Sequence, residues 1–568
     1  MTAVLPDRAE RVAAAPAAEH RGPGGFAWIG LCAALIAGAP IGALGILALQ
    51  GNAAHWLHLA TAVVPYALHE TAVLLGGVTV FVVVVGTGTA WLVTAYAFPG
   101  RRMLEVALLL PLAFPAYVMA YAWIDLMHPI GPLQSGLRAL LGIERPAELR
   151  LPDLRSLPGA VLVFGLALYP YVYVAARAAF LARMTTLTEA ARTLGAGPGR
   201  VFGRVALPLA WPAIAAGTSL VLMETLNDVG AAEFLGVTTL TTTVYSTWVN
   251  RSDLAGAAQI ALAMLAIVLA LVLAERTARG ARSFAVGGGA QRALPPRRVD
   301  GIAGLGLLAL GALVVALGFG LPTGHLAWQA ALRLAEGHGG ATLLPAIGNT
   351  LLVAVLATVA AVLTGLVLVE GRRLHPGSRL HAAVLRVATS GYAVPGTVLA
   401  VGLLVVLGGF DRAARAVVEF AGGAPTGLLV SASIGAVVLA YVVRFVRLAA
   451  TQVETGLERI PPTLDQSARS LGRTPAGVMS AIHLPLLRAS LAGAALLVFV
   501  DCMKELPATL LLRPLNFDTL ATLLYGEAAR GTYEDGAIAA LLIVAIGLVP
   551  VAVLVRLGRP PATLEARP

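Results

Sequence analysis

The sequence predicts an all-α polytopic membrane protein of about twelve transmembrane helices, in two parallel-duplicated six-helix halves. Three observations predict this class. Hydrophobic residues make up 58% of the 568 residues and charged residues only 12%; apolar runs long enough to cross a bilayer recur along the chain; and one sequence pattern occurs twice. Because soluble domains carry about 25% charged residues, a chain with half that share has to give most of its surface to lipid.

The transmembrane helices are predicted from the apolar runs. A helix needs about 20 residues to cross roughly 30 Å of hydrocarbon. Twelve runs are that long, near residues 26–49, 73–98, 103–127, 158–180, 209–226, 254–274, 301–320, 349–369, 385–408, 428–450, 488–506 and 536–556. The first run is too long for the core of a signal peptide, so we expect it to be a retained span.

The placement of arginine predicts the orientation and the domain limits. The chain has 40 Lys+Arg against 30 Asp+Glu, and the arginines cluster in alternate connections, which assigns those connections and both termini to the cytoplasm. The connection 128–157, which holds four arginines, departs from this alternation. The positive excess therefore indicates topology and membrane lipid as the surroundings, and not nucleic acid as a partner. The predicted organisation is an N-terminal tail (1–25), a first half (26–275), a linker (276–300), a second half (301–557) and a C-terminal tail (558–568).

A shift of 277 residues aligns parts of the two halves. It places the pentapeptide 191–195 on 468–472, Pro198 on Pro475, and the Leu-Pro pair 207–208 on 484–485. Six predicted spans, an even number, separate equivalent points, so the halves run in the same direction and are related by a pseudo-twofold axis along the membrane normal. Such duplicated bundles are typical of transporters, and a purely structural scaffold is the alternative.

The duplicated loops have the composition of a docking surface. Small residues at the start of a short helix permit the close approach of another protein. Gly195 permits a chain reversal with positive φ, and Pro208 is expected to restart a helix in its first turn. An ordinary interhelical loop is the alternative for one copy, but the equal spacing of two copies argues against it.

These loops resemble the cytoplasmic loop of the permease subunits of binding-protein-dependent ABC importers, which has a Glu-Ala-Ala, three residues, Gly pattern. In that family the loop forms a coupling helix that sits in a groove of the ATPase subunit. The resemblance implies coupling residues in both copies: Glu189, Ala190, Ala191, Gly195, Leu207, Pro208, Gln466, Ser467, Ala468, Gly472, Leu484 and Pro485. The second copy departs from the pattern at Gln466, whose amide still hydrogen-bonds but carries no charge.

The resemblance also implies the partners of the chain. They are two copies of an ABC ATPase subunit and a soluble substrate-binding protein, at a bacterial inner membrane. ATP and Mg are then expected on the ATPase, with no cofactor bound and no reaction catalysed by this chain. The sequence agrees, because Lys504 is its sole lysine and does not follow a glycine-rich phosphate-binding loop.

Two polar clusters lie 277 residues apart at the ends of predicted spans: Glu224, Asn227 and Asp228, and Asp501, Lys504 and Glu505. Acids four residues apart share one helix face, and ionisable groups near hydrocarbon usually face a water-filled path or a partner. We therefore predict a translocation pathway lined by Glu224, Asp228, Asp501, Lys504 and Glu505, without a resident metal site. The alternatives are a simple Asp501 to Lys504 pair at an external helix end, and an ion-coupled secondary transporter that uses the acids as a relay.

Each polar cluster is followed by a stretch, 231–245 or 507–522, that we expect to be non-helical and to form an outer gate. The segments 504–509 and 517–522 are similar to those of the fused ferric iron permeases of the same family. The predicted cargo is therefore ferric iron. Thiamine, phosphonate, sulfate and polyamine permeases share the fused arrangement or related loops, and their cargoes are the alternatives.

Overall fold

The computed structural model describes residues 25–50, 53–145, 148–183, 191, 193–280, 296–337, 340–424 and 427–557. Within these ranges eleven helices are long and apolar enough to cross a membrane, and a further pair, Arg101–Ala113 and Ala116–Leu126, is bent by 95° at a short break and makes a twelfth when counted as one span. The eleven are Phe26–Leu49, Trp56–Ala95, Leu157–Leu181, Pro198–Asn227, Leu254–Leu271, Gly301–Ala335, Thr342–Leu374, Gly396–Phe420, Ile434–Glu458, Pro475–Met503 and Tyr533–Val553. The spans are numbered below in chain order, with the bent pair as the third. Their number and approximate positions confirm the predicted transmembrane helices.

Shorter elements connect the spans. The short helices are Pro132–Leu141, Val229–Phe234, Leu240–Val249, Arg379–Ala388, Pro462–Ser470, Pro507–Leu512 and Leu520–Arg530. Four helical stretches of the spans have π geometry in the described part of the chain: Leu59–Val63, Phe202–Ala206, Ala316–Gly320 and Met479–His483. Two-residue strands, Tyr96–Ala97 and Arg297–Arg298, pair in parallel and join the end of the second span to the segment before the seventh.

The two halves repeat the same backbone contacts. The Thr71 hydroxyl accepts a hydrogen bond from the backbone N–H of Leu240 at 3.0 Å, and Thr350 accepts one from Leu520 at 2.8 Å. Close helix packing is repeated too. A Cβ atom at Gly86 would lie 2.9 Å from a backbone atom of the fourth span, and a Cβ at the equivalent glycine of the eighth span would lie 2.9 Å from the tenth.

The halves interlock through their first helices. The first span packs against Arg379–Ala388 and against the eighth and ninth spans of the second half, and also against the sixth span. The seventh span packs against the bent third span of the first half and against the twelfth span. As a result, one hydrophobic core is continuous through both halves.

The stretches 231–245 and 507–522, predicted to be non-helical, are largely helical, and that prediction is wrong. Each contains two short helices separated by a break. The reason is local capping, since the side chains of Asp228, Thr239 and Thr519 each accept a hydrogen bond from a backbone N–H in the first turn that follows. A capped short helix satisfies its own backbone where water is scarce.

The helix after each coupling loop begins earlier than predicted. The span begins at Pro198 in the first half and at Pro475 in the second. Inside it, an α-helical segment begins at Leu207 with Pro208 in its first turn, as predicted, and the equivalent segment begins at Leu484 with Pro485 in its first turn. A π-helical stretch directly precedes each of these Leu-Pro pairs: Phe202–Ala206 in the first half and Met479–His483 in the second. The wider turn accommodates a residue that has no N–H and would otherwise break the helix.

Candidate translocation cavity and coupling loops

A cavity of about 140 Å³ lies between the two halves, where the fifth and eleventh spans end. The fifth span has 30 residues and is therefore roughly 45 Å long at 1.5 Å per residue, more than the hydrocarbon thickness of about 30 Å. All five predicted pathway residues line the cavity: Glu224, Asp228, Asp501, Lys504 and Glu505. The structure thus brings both polar clusters together, while their part in transport stays a prediction.

The acids of the second half are paired with basic side chains. Lys504 Nζ lies 2.8 Å from an Asp501 carboxylate oxygen. Glu505 is buried, and its Oε1 lies 2.7 Å from a guanidinium nitrogen of Arg444; its carboxylate also accepts two backbone N–H groups of the helix Pro507–Leu512. The Asp501 to Lys504 pair, named above as an alternative to a pathway, therefore exists and faces the cavity as well.

The acids of the first half have no such partners. Within the described residues, no Lys or Arg forms a salt bridge with Glu224 or Asp228; Asp228 instead caps the helix Val229–Phe234. Asn227 lines the cavity beside them, and its side-chain oxygen accepts the backbone N–H of Gly396 at 2.7 Å, which links the two halves. With four carboxylates against Lys504 and one arginine, the charged groups that line the cavity formally sum to −2.

Four ionisable side chains of the cavity lining are absent from the predicted pathway: Arg444, Tyr117, Tyr171 and Tyr392. A signal existed for Arg444, because it interrupts the apolar tenth span, where an ionisable residue usually marks a functional site. The tyrosines gave none, since an aromatic residue in an apolar span fits core packing equally well. Tyr117 donates to the Lys504 carbonyl at 3.3 Å and so joins the halves at the cavity wall.

A second contact between the halves is formed by the helices that follow the cavity. Tyr245 and Tyr525 occupy equivalent positions in the two halves, and their ring centroids are 6.2 Å apart. Tyr525 also stacks on Phe234 with centroids 5.5 Å apart, and its hydroxyl donates to a Glu233 carboxylate oxygen at 2.6 Å. This aromatic contact joins Val229–Phe234 and Leu240–Val249 to Leu520–Arg530.

The first predicted coupling loop lies partly outside the described residues, since Glu189 and Ala190 fall there; Ala191 is described. The glycine that ends the pattern is described in both copies. Its φ is 79° at Gly195 and 81° at Gly472, as the sequence predicted. Only glycine adopts this conformation without strain, so the two loops reverse direction in the same way.

The second coupling loop is a helix, Pro462–Ser470. Gln466 and Ser467 are exposed on it, and Ala468 is buried. Next to the turning glycine, each loop carries a leucine that is almost fully exposed: Leu194 is 86% exposed and Leu471 is 84% exposed. Further along, Leu207 and Leu484 are half-buried, and Pro208 and Pro485 are exposed on the spans that follow.

A buried ionic cluster lies beneath the second loop. His483 Nδ1 lies 2.7 Å from Glu370 Oε1, and His483 Nε2 lies 2.8 Å from Asp465 Oδ1. Arg373 donates to Asp465 Oδ2 at 2.8 Å and to the Ile460 carbonyl at 2.8 Å. Burial acts to raise the pKa of the Asp465 carboxyl, but the hydrogen bonds and charges of Arg373 and His483 outweigh burial and hold the pKa below its usual 3.8.

The first half has aromatic side chains at the equivalent place. Trp91, which aligns with Glu370, packs edge-on against Phe180 with centroids 5.4 Å apart and against Phe202 at 5.1 Å. Ala206 aligns with His483. The same backbone is therefore held by aromatic packing in one half and by charges in the other.

Comparison with known proteins places this architecture in a family. Residues 83–276 match the family model described as binding-protein-dependent transport system inner membrane component. The chain is similar to the Fe(3+)-transport system permease protein FbpB 2 of Haemophilus influenzae, with 26% identity over 493 residues, 86% of this chain and 89% of the relative. It is also similar to the molybdenum transport system permease protein ModB of Escherichia coli (strain K12), with 32% identity over 203 residues, 34% of this chain and 85% of the relative.

The two relatives differ in how much of the chain they match. ModB is aligned with about a third of it, whereas the Haemophilus relative is aligned with most of its length, as expected for two permease halves fused in one polypeptide. The family model lies in the first half, and the repeated helices and contacts extend the same fold to the second. The chain therefore belongs to the family of binding-protein-dependent transport system inner membrane components and is a fused, multi-pass permease of an ABC importer.

Proposed function

We propose that this permease imports ferric iron, which a soluble binding protein delivers at the outer face and which two copies of a partner ATPase drive inward. The observation that carries the proposal is the net negative cavity built by both halves. Membership of the permease family makes a stand-alone, ion-coupled secondary transporter the weaker interpretation, because such a transporter has no use for the twin cytoplasmic loops.

The charge of the cavity favours a cation as cargo. Its charged groups formally sum to −2, and among the described residues no Lys or Arg forms a salt bridge with Glu224 or Asp228. A cleft of one charge sign concentrates ions of the opposite sign, which disfavours molybdate, sulfate and phosphonate. Carboxylate oxygens also suit hard cations. The name of the Haemophilus relative, a permease of Fe(3+), points the same way.

The cavity is suited to the passage of an ion and not to its tight binding. Two of its four acids are neutralised by Arg444 and Lys504 at 2.7 Å and 2.8 Å, which leaves few free ligands for a tightly held ion. Conduction requires sites that are strong enough to admit the ion and weak enough to release it. Tight binding of ferric iron is then the task of the soluble binding protein.

The exposed leucines support ATPase docking at the two loops. A single exposed leucine is ordinary, but Leu194 and Leu471 lie at equivalent positions and are 86% and 84% exposed. A groove on each ATPase subunit would cover one of them, with Glu189 or Gln466 on the same loop as a polar contact. ATP and Mg are held by that partner, and the loops, the linker and both termini are cytoplasmic.

One continuous helix joins each loop to the cavity. The fifth span begins at Pro198, just after the first loop, and carries Glu224 near its other end; the eleventh span joins Pro475 to Asp501 in the same way. A tilt imposed on a loop therefore reaches the acids as a rigid-body motion. ATP-driven closure of the partner subunits would separate the aromatic contact of Tyr245 with Tyr525 and open the cavity outward.

The test is ATP hydrolysis by the permease reconstituted in proteoliposomes with its ATPase. The binding protein is added empty, loaded with ferric iron, or loaded with thiamine, an alternative cargo that is also a cation. Stimulation by the ferric form alone supports the proposal. Stimulation by the thiamine form or by an oxyanion-loaded protein overturns iron as cargo, and failure of a folded permease to bind any ATPase overturns the coupling role.

A further inference from the structure

Both ring nitrogens of His483 face carboxylates. Nδ1 lies 2.7 Å from Glu370 Oε1 and Nε2 lies 2.8 Å from Asp465 Oδ1. A carboxylate oxygen only accepts hydrogen bonds and a neutral imidazole has one N–H. Both contacts are hydrogen bonds only if the cluster holds one extra proton, either on the imidazole or between Glu370 and His483.

The charge balance of the cluster depends on that proton. With it, the positive charges of Arg373 and His483 balance the negative charges of Glu370 and Asp465. Without it, one negative charge is left at a site where the side chains of His483 and Glu370 are both 0% exposed. A buried, unpaired charge is costly, so loss of the proton is coupled to opening of the cluster.

The charged groups that face His483 come from two elements besides its own helix. The eighth span contributes Glu370 and Arg373, and the helix Pro462–Ser470 contributes Asp465. The tenth span contributes a backbone carbonyl, that of Leu457, which Arg373 binds at 2.5 Å, while its acids Glu454 and Glu458 are exposed. On the eleventh span itself, the residue one turn after His483 is a buried leucine.

The cluster fastens the second coupling helix to the membrane bundle. Asp465 lies on that helix, one residue before the exposed Gln466, whereas Glu370 and His483 belong to the eighth and eleventh spans. Arg373 adds a bond to the Ile460 carbonyl at the entry to the helix. The position of the helix relative to the spans is thus set by bonds that require one proton.

The first-half positions that align with Glu370, His483 and Arg373 hold no ionisable side chain. Trp91 replaces Glu370, Ala206 replaces His483 and Thr94 replaces Arg373. None of these side chains titrates. A pH response should therefore be confined to the second loop.

We propose that His483 is a positioning residue for the second coupling helix, and that its shared proton makes the attachment of this helix pH-sensitive. The attachment is firm at neutral and mildly acidic pH and loosens as the pH rises above neutral. The consequence for transport rests on the proposed docking of an ATPase at this loop, but the attachment itself is a property of the permease alone.

The test places nitroxide labels at the two equivalent exposed leucines, Leu194→Cys and Leu471→Cys, with both native cysteines replaced by alanine. Spectra of the full-length permease are recorded from about pH 6 to about pH 10, across and above the range in which histidine titrates. The ratio of mobile to immobile label at position 471 is expected to rise by about tenfold per pH unit above its midpoint, as loss of one proton requires. The label at position 194 should not respond.

Two variants distinguish an effect of the shared proton from an effect of side-chain packing alone. Glu370→Gln removes one negative charge, and its amide donates to Nδ1 of a neutral imidazole, so the label at 471 should stay immobile throughout the pH range. His483→Ala should make it mobile at every pH. Glu454→Gln, an exposed carboxylate of the tenth span, is the matched control and should keep the normal response.

A flat response at position 471 in the otherwise native chain overturns the proposal, and so does a Glu370→Gln variant that keeps the normal response. Either result is obtained without an ATPase or cargo, so it is distinct from failure of the proposed function. In the complete complex, the stimulated ATP hydrolysis should fall at alkaline pH in the native protein and not in Glu370→Gln.

Discussion

The two halves of this permease share a backbone and differ in chemistry at three equivalent places. The first half has Glu-Ala-Ala in its predicted coupling loop, aromatic packing around Trp91 beneath it, and two cavity acids that form no salt bridge with Lys or Arg among the described residues. The second half has Gln-Ser-Ala, an ionic cluster around His483, and acids paired with Arg444 and Lys504. Close helix packing therefore keeps the same backbone in both halves, while the polar side chains at equivalent positions differ.

The largest expected effect is on stability, and it differs between the two aligned acids Asp228 and Glu505. Glu505→Gln breaks a buried pair with Arg444 and should lower the free energy of unfolding by about 3–5 kcal/mol. The aligned change Asp228→Asn should cost less than about 1 kcal/mol, because asparagine also caps a helix. Thermal unfolding in detergent measures both, and equal losses would contradict the charge asymmetry.

The next effect concerns the support of the coupling loops. Asp465→Asn weakens charge-assisted hydrogen bonds to Arg373 and His483, so about 1.5–3 kcal/mol should be lost at neutral pH. Hydrogen exchange of the helix Pro462–Ser470, corrected for intrinsic rates, reports the change. Exchange as slow as in the native chain would exclude a fastening role for Asp465.

The pH dependence of this contribution has a defined sign. The pKa of Asp465 is lowered below 3.8, so its contribution is complete above about pH 4 and is lost only as the pH falls through the lowered pKa. Near neutral pH its titration plays no part. Any loosening of the loop at alkaline pH is therefore expected from the proton shared by Glu370 and His483.

A smaller effect should be equal in the two halves, because it depends on the backbone alone. Gly195→Val and Gly472→Val each force a branched residue to a φ near 80°, which costs about 1–2 kcal/mol and should reduce ATPase binding to that loop. Gly493→Val lies in an open part of the eleventh span and is the matched control. Loss of binding in one half only would mean that the loops dock differently.

The smallest effect concerns the two aligned tyrosines. Tyr525→Phe removes the hydrogen bond to Glu233 and should cost about 1 kcal/mol, whereas Tyr245→Phe should cost less, because the bond to Glu233 is made by Tyr525. Basal ATP hydrolysis without binding protein should rise more in Tyr525→Phe. A larger rise in Tyr245→Phe would contradict this assignment of the contact between the halves.

Much of the fold could be predicted because its signals are local. Apolar length gives the spans, and the repeated motif gives the duplication and the turn at Gly195. The partners of the first and seventh spans could not be predicted, because a helix that is apolar on all sides does not indicate which neighbour it meets. The short helices at 229–249 were missed because their caps, Asp228 and Thr239, act on segments too short to show a period.

The cavity could be predicted from the sequence, but the ionic cluster around His483 could not. Acids at matching positions in the two halves indicated the cavity, and the structure brings them together. The ionic cluster required contacts between residues more than a hundred positions apart, such as Glu370 and His483. An ionisable residue within an apolar span was nevertheless a readable signal, and applying it to Arg444 and Glu370 would have pointed to both places.

The most direct test of the account is ATP-driven uptake of radioactive ferric iron into proteoliposomes by the complete complex. The double variant Glu224→Gln with Asp228→Asn is compared with Glu419→Gln, an exposed carboxylate outside the cavity. Uptake should fall by about tenfold or more in the double variant, because the negative field of the cleft is removed, and should be unchanged in the control. Equal uptake by both variants would contradict a cation pathway through this cavity.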